Sequence, residues 1–143
     1  MNPGSHTLQG TNTWLVGNGA SKILIDTGED ITSEKYVKFL LETVFPLTNT
    51  LNISNILLTH GHGDHLGGVQ KLLQELKKLG KSLPKIHKRQ IINGNFPSGA
   101  YACENILDGQ FFNDSERPEE IRLKAVYTPG HTDDHVCFIL QVQ

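Results

Sequence analysis

The sequence predicts an α/β fold, and three observations carry that prediction. Short apolar strand patterns alternate with two amphipathic helix patterns along the chain. Both histidine-rich segments, His60 to His65 and His131 to His135, directly follow strand patterns, at 53–59 and 121–127. Open α/β sheets place their sites at such strand ends. The chain has 143 residues, which is one domain at most, with room for a core.

Taken in order, Thr13-Trp14-Leu15-Val16 and Lys22-Ile23-Leu24-Ile25 read as a hairpin turning at Gly17-Asn18-Gly19. Asp26-Thr27-Gly28 ends it. By spacing alone Asp26 is a turn former or a carboxylate that orients a ligand histidine, and the turn is the simpler reading. Across 33–45, Tyr36, Val37, Leu40, Leu41, Val44 and Phe45 fall at helical spacing. Glu34 suits the first turn and Pro46 the stop. The apolar run 53–59 then delivers His60. Leu66, Val69, Leu72, Leu73, Leu76 and Leu79 form the stripe of a second helix, closed by Gly80. Residues 85–88 read as a strand, 93–99 as a loop, and Leu107-Asp108-Gly109 as a turn. The alternation over 121–127 and the apolar run 135–142 read as two further strands. His87 matches no ligand spacing and reads as surface or satisfied core.

Composition narrows the function classes. The hydrophobic fraction is 37%, the charged fraction 20% and the formal net charge −2. Such a balance exerts no general pull on nucleic acid or anionic membrane. No run approaches the roughly 20 apolar residues of a membrane span, and no targeting signal is visible at the N-terminus. Cys103 and Cys137 stand apart, which suggests buried thiols in a reducing compartment more than a disulfide framework. The stretch Lys77, Lys78, Lys81, Lys85, Lys88, Arg89 is a local charge excess. It reads as a helix end and solvated loop, with a phosphate-contacting rim as the sharper alternative.

The chemistry lies in the histidines, five of seven of which fall in the two clusters. His60 and His62, two apart on a turn, can reach one point. Asp64 and His65 sit further round and read as ligands of a second ion or as groups acting on bound water. Imidazole and carboxylate are the donors zinc takes in catalytic sites. Thr128-Pro129-Gly130 presents His131 on a tight turn. His60, His62 and His131 then make a three-histidine set with an open fourth position, where zinc lowers the pKa of water to about 7. Asp133, Asp134 and His135 read as turn chemistry, with a proton donor at the site edge as the sharper alternative for His135.

His60-x-His62-x-Asp64-His65 followed by Thr128-Pro129-Gly130-His131-Thr132 resembles the metallo-β-lactamase superfamily. Leu8-Gln9-Gly10-Thr11-Asn12-Thr13, Ile25-Asp26-Thr27-Gly28 and Thr132-Asp133-Asp134-His135 narrow the resemblance to the endoribonuclease lactamase-beta-like protein 2 group. The resemblance implies the N-terminal half of an αββα sandwich over 1–143, with a mixed, mostly antiparallel sheet and flanking helices. It implies a dinuclear zinc site with His60, His62, Asp64, His65 and His131 as metal residues, Asp64 also acting in catalysis. Asp26 becomes a carboxylate that orients a ligand. The family's opening strand is expected before Asn2-Pro3-Gly4, and its bridging aspartate and last metal histidine beyond Gln143. The first ion then keeps His60, His62 and His131, and the second only Asp64 and His65.

For function, the resemblance implies cleavage of single-stranded RNA in the mitochondrial matrix. A cytoplasmic protein, a glyoxalase II-type thioesterase and an inactive zinc-binding fragment are the alternatives. Half of a sandwich leaves sheet edges and apolar faces open. The isolated 143-residue chain is therefore expected to be marginal, to self-associate through its uncovered sheet, or to be a fragment of a longer product. A monomeric, reversible thermal transition in sedimentation and melting experiments would count against this.

Overall fold

The computed structural model describes residues 2–91, 101–114, 116 and 118–142. The loop expected at 93–99 lies outside them. Strands β1 (Trp14–Val16), β2 (Ser21–Ile25), β3 (Asn52–Leu58), β4 (Lys85–Lys88) and β5 (Glu104–Asn105) form one sheet in that order. Strands β6 (Phe111–Asn113), β7 (Ile121–Tyr127) and β8 (Val136–Val142) form a second. The second sheet is antiparallel, as is the β1–β2 hairpin. From β2 to β5 the pairings are parallel. The expected antiparallel character thus belongs to the hairpin and the second sheet. Helical crossovers between β2 and β3, and between β3 and β4, impose the parallel centre.

Alternation along β2 and β3 creates two cores. Leu24, Ile53, Ile56 and Leu58 face the helices, against Val37, Leu40, Phe45, Val69, Leu72 and Leu76. Ile23, Ile25 and Leu57 face the second sheet, against Ile106, Phe112, Leu123, Ala125 and Val136. The layers are therefore helix, sheet, sheet. On the edge strand β8, Ile139, Leu140 and Val142 remain 50%, 52% and 67% exposed.

Each expected helix is interrupted. The first is α1 (Ser33–Phe39), a π-helical turn at Leu40–Val44 and a short α2 (Phe45–Leu47). Pro46 lies within α2 rather than beyond the helix. A proline ring clashes with the carbonyl four residues back in α geometry, and the wider π turn relieves that. The second is α3 (Gly63–Leu66), a break at Gly67-Gly68, and α4 (Val69–Lys78). The break is a close approach of backbones. A Cβ at Gly67 would lie 2.4 Å from the Asp30 nitrogen, and one at Gly68 2.1 Å from the Thr27 oxygen. Leu79, expected in the buried stripe, falls past the end of α4 and is 58% exposed. Strands β5 and β6 span only two and three residues, too short for alternation to announce them. Cys103 and Cys137 are both free, but neither is the buried thiol expected: Cys103 is half-buried and Cys137 exposed. Among the described residues, no helix is long and apolar enough to cross a membrane.

The contact at Gly68 seats the helix pair that follows His60 onto the loop that follows β2. Gly68→Ala is expected to destabilise the fold by about 1–3 kcal/mol, read as a lowered urea midpoint with an unchanged slope.

Candidate metal centre

The parallel strands β2 and β3 end side by side, and the site begins there. Ile25 pairs with Leu57, and the Asp26 amide donates to the Leu57 carbonyl at 3.0 Å. Asp26 then turns into the left-handed region, with φ of 57°. Its carboxylate accepts three hydrogen bonds: from the Thr59 amide at 2.9 Å, the Thr59 hydroxyl at 2.8 Å, and His65 Nδ1 at 2.7 Å. Both readings of Asp26 hold at once: it makes the turn and it orients a histidine.

Proton counting fixes two tautomers. A carboxylate only accepts, so His65 Nδ1 carries the proton. Thr59 spends its one hydroxyl proton on Asp26, so it accepts from His60 Nδ1 at 3.0 Å. His60 Nε2 is then a bare lone pair. His60 is 2% exposed, and its Nε2 is buried without a hydrogen-bond partner among the described residues. Burial, then His65 and His62, push its pKa down to about 4. Such an orphaned acceptor calls for a cation or a donor.

The second turn supplies its neighbours. Val136 donates its amide to the Thr59 carbonyl at 2.9 Å, joining the two sheets at the site. His131 Nε2 lies 3.0 Å from His62 Nδ1. One donor nitrogen from each of His60, His62 and His131 falls within 4.8 Å of the others. The donor set, the exposed partners and the orphaned Nε2 fit a divalent metal ion, of which zinc is one that takes imidazole.

Asp64 and His65 lie beside this triad without joining it. His65 Nε2 is 3.4 Å from Asp64 Oδ2. Asp64 accepts the Thr11 hydroxyl at 2.6 Å. Burial would raise the Asp64 pKa, but Thr11 and His65 outweigh it and hold it below the usual carboxylate range. Burial would lower the His65 pKa, but the Asp26 hydrogen bond and charge leave it raised. His135 belongs to its turn, its Nδ1 2.9 Å from the Thr128 hydroxyl, and also lines the site edge, the sharper of its two readings. Burial, then His131, push its pKa down. Together with Trp14 and residues 6–8, these groups line a cleft of about 740 Å3.

Some residues escaped the sequence reading. Thr59 precedes His60, and that position was its only signal; Thr11 lies 53 positions from Asp64 and stood within the Leu8–Thr13 motif with no role assigned. His87 proves to be core, bonded through Nε2 to Asn55 Oδ1 at 2.9 Å. The basic stretch scatters rather than forming a rim. Lys81 donates to the Leu51 carbonyl at 2.6 Å, at the opposite end of β3 from His60. Lys88, read as part of a solvated face, is buried against Asp134. A buried carboxylate 46 positions away overrides the local charge pattern.

Comparison with known proteins agrees with this geometry. The family model for the metallo-beta-lactamase superfamily matches residues 6–143. The chain belongs to the metallo-beta-lactamase superfamily. A lactamase-like protein of Pestalotiopsis microspora is 43% identical over 98% of this chain and 38% of its own length. An atrochrysone carboxyl ACP thioesterase of Aspergillus chevalieri is 41% identical over 98% of this chain and 39% of its own length. The chain thus spans about two-fifths of the length of these curated relatives. The Rm3 metallo-beta-lactamase superposes with a TM-score of 0.68 at 21% identity, over 95% of this chain and 52% of that one. A flavo di-iron protein from Thermotoga maritima gives 0.65 at 20% identity, over 90% and 30%. These structures show the fold. The relatives named here carry lactamase-like and thioesterase descriptions, rather than the endoribonuclease that the finer resemblance implies.

The buried His60 sets a pH dependence for the metal-free chain. With a folded pKa of about 4 against 6.5 unfolded, the unfolded chain binds more protons between those values. Stability conferred by the neutral ring is therefore present above pH 6.5 and lost as pH falls toward 4. The raised His65 opposes this, while His87 and His135 act with His60. The melting midpoint is expected to fall over that window, and His60→Gln to flatten the fall.

Proposed function

We propose that the protein is a metal-dependent hydrolase of thioesters, with zinc held by His60, His62 and His131. The observation that carries this is the orphaned His60 Nε2, in a triad with His62 and His131, which line a cleft whose described lining contains no lysine or arginine. Proteins that bind nucleic acid rely on such cations at the phosphates. Here Asp26 and Asp64 line the cleft instead, which suits an acyl group of low charge better than a polyanion. The thioesterase among the relatives supports the same reading.

A divalent ion bound by the triad would polarise an acyl oxygen and activate water. This chain's residues supply the rest. Asp64, ionised at neutral pH and pinned by Thr11, is an acceptor that orients an attacking water and takes its proton. Asp26 and Thr59 hold the rings of His65 and His60 in one tautomer each. The leaving thiolate, with a parent pKa near about 8.5, departs without a strong acid.

The chain loaded with zinc is expected to release thiol from an aromatic acyl thioester of N-acetylcysteamine. Chelation or Asp64→Ala should abolish release, and a single-stranded RNA oligonucleotide should stay intact. RNA cleavage that depends on Asp64, with the thioester untouched, would replace this reading by the nuclease one. One bound zinc per chain with neither activity would leave a metal-binding unit.

A further inference from the structure

Lys88 and Asp134 form a buried ion pair that no step above uses. Their side chains are 7% and 6% exposed. Lys88 ends β4, opposite Leu58 of β3, the strand that delivers His60. Asp134 belongs to the turn 128–135, which carries His131 and His135. Lys88 also donates to the Arg89 carbonyl at 3.1 Å. Burial would raise the Asp134 pKa, and the Lys88 ammonium reverses that and holds it ionised.

The next residue completes a clamp. The Arg89 guanidinium stacks on the Tyr127 ring, 3.8 Å from its centre. Tyr127 is the last residue before the turn and Asp134 one of its last members. Two successive residues at the end of β4 therefore grip the turn at entry and exit. The turn closes on itself through the Thr128 amide and the His135 carbonyl, 3.0 Å apart. The pair also touches the first histidine segment. A Cβ on Gly61 would lie 3.1 Å from Asp134 Oδ2 and 3.5 Å from Lys88 Cε. The residue between His60 and His62 is thus packed on the same ion pair that holds the turn of His131.

We infer that Lys88 and Asp134 are positioning residues that set His131 against the His60–His62 pair, so that metal affinity depends on them although neither belongs to the donor set. The need is geometric. His60 and His62 follow one strand of the first sheet, whereas His131 arrives from the second sheet on a turn. Small errors between the sheets separate the donors. A buried ion pair is a poor source of stability, since an apolar pair of similar volume commonly does as well. Its distinctive property is a directional bond that fixes two elements in one register.

The inference rests on the metal reading, and the test separates the two. Zinc affinity is measured by competition with a chromophoric chelator, on the parent chain, Lys88→Met/Asp134→Leu and Asp134→Asn. The double variant replaces both charges of the pair by apolar groups. Its melting midpoint without metal is expected to stay near the parent's, while zinc binds about 10- to 100-fold more weakly. Its cobalt-loaded absorption should also depart from the parent's, because the donor geometry changes. Asp134→Asn keeps an acceptor for Lys88 and decides the matter if the double variant does not fold; it should bind zinc more weakly than the parent. Parent-like affinity in a folded variant overturns the inference and leaves the metal reading standing. A parent chain that binds no zinc overturns both.

Discussion

The Asp26 carboxylate accepts hydrogen bonds from the Thr59 amide, the Thr59 hydroxyl and His65 Nδ1, and the site is built outward from those three bonds. They occur where two parallel strands end together, so the geometry of the sheet becomes the geometry of the site. The carboxylate cannot donate, and that restriction passes along the network. It fixes the proton on His65, then the hydroxyl of Thr59, then the proton on His60. The outcome is a lone pair on His60 Nε2, buried and without a partner. An apolar or amide residue at position 26 would break this chain of restrictions at its source.

The second contribution comes from the other sheet. The apolar contact of Ile23, Ile25 and Leu57 with Leu123, Ala125 and Val136 brings the sheets together but does not define register. Directional contacts do so: the Val136 amide to the Thr59 carbonyl, Lys88 to Asp134, and Arg89 on Tyr127. All three meet the segments that carry the two histidine turns. The interior thus combines a non-directional attraction that joins the sheets with a few polar contacts that decide where His131 stands.

The chemistry of the cleft follows from its charges. The six-residue motif brings three imidazoles and one carboxylate, and the N-terminal segment brings Thr11, whose hydroxyl settles Asp64. The lysines that look so prominent in sequence face elsewhere, at the far end of β3 or inside the fold. A local excess of positive charge is therefore no guide to what the cleft holds.

The sequence by itself determined the α/β alternation, the strand that delivers His60, the buried faces of both helices and the residue types at the site. Those are local properties: hydrophobic period sets secondary structure and burial, and imidazole spacing sets what one turn can reach. It also supported the family, because His60-x-His62-x-Asp64-His65 and His131 are dense enough to be specific. Tertiary structure alone decided the split of the second helix, where Gly67 and Gly68 meet backbone from the loop after β2. It alone decided that Asp26 serves Thr59 and His65, and that Lys88 is interior rather than surface. In each case the deciding partner lies tens of residues away, and a hydrogen bond or a steric contact exists only once folding has brought both ends together.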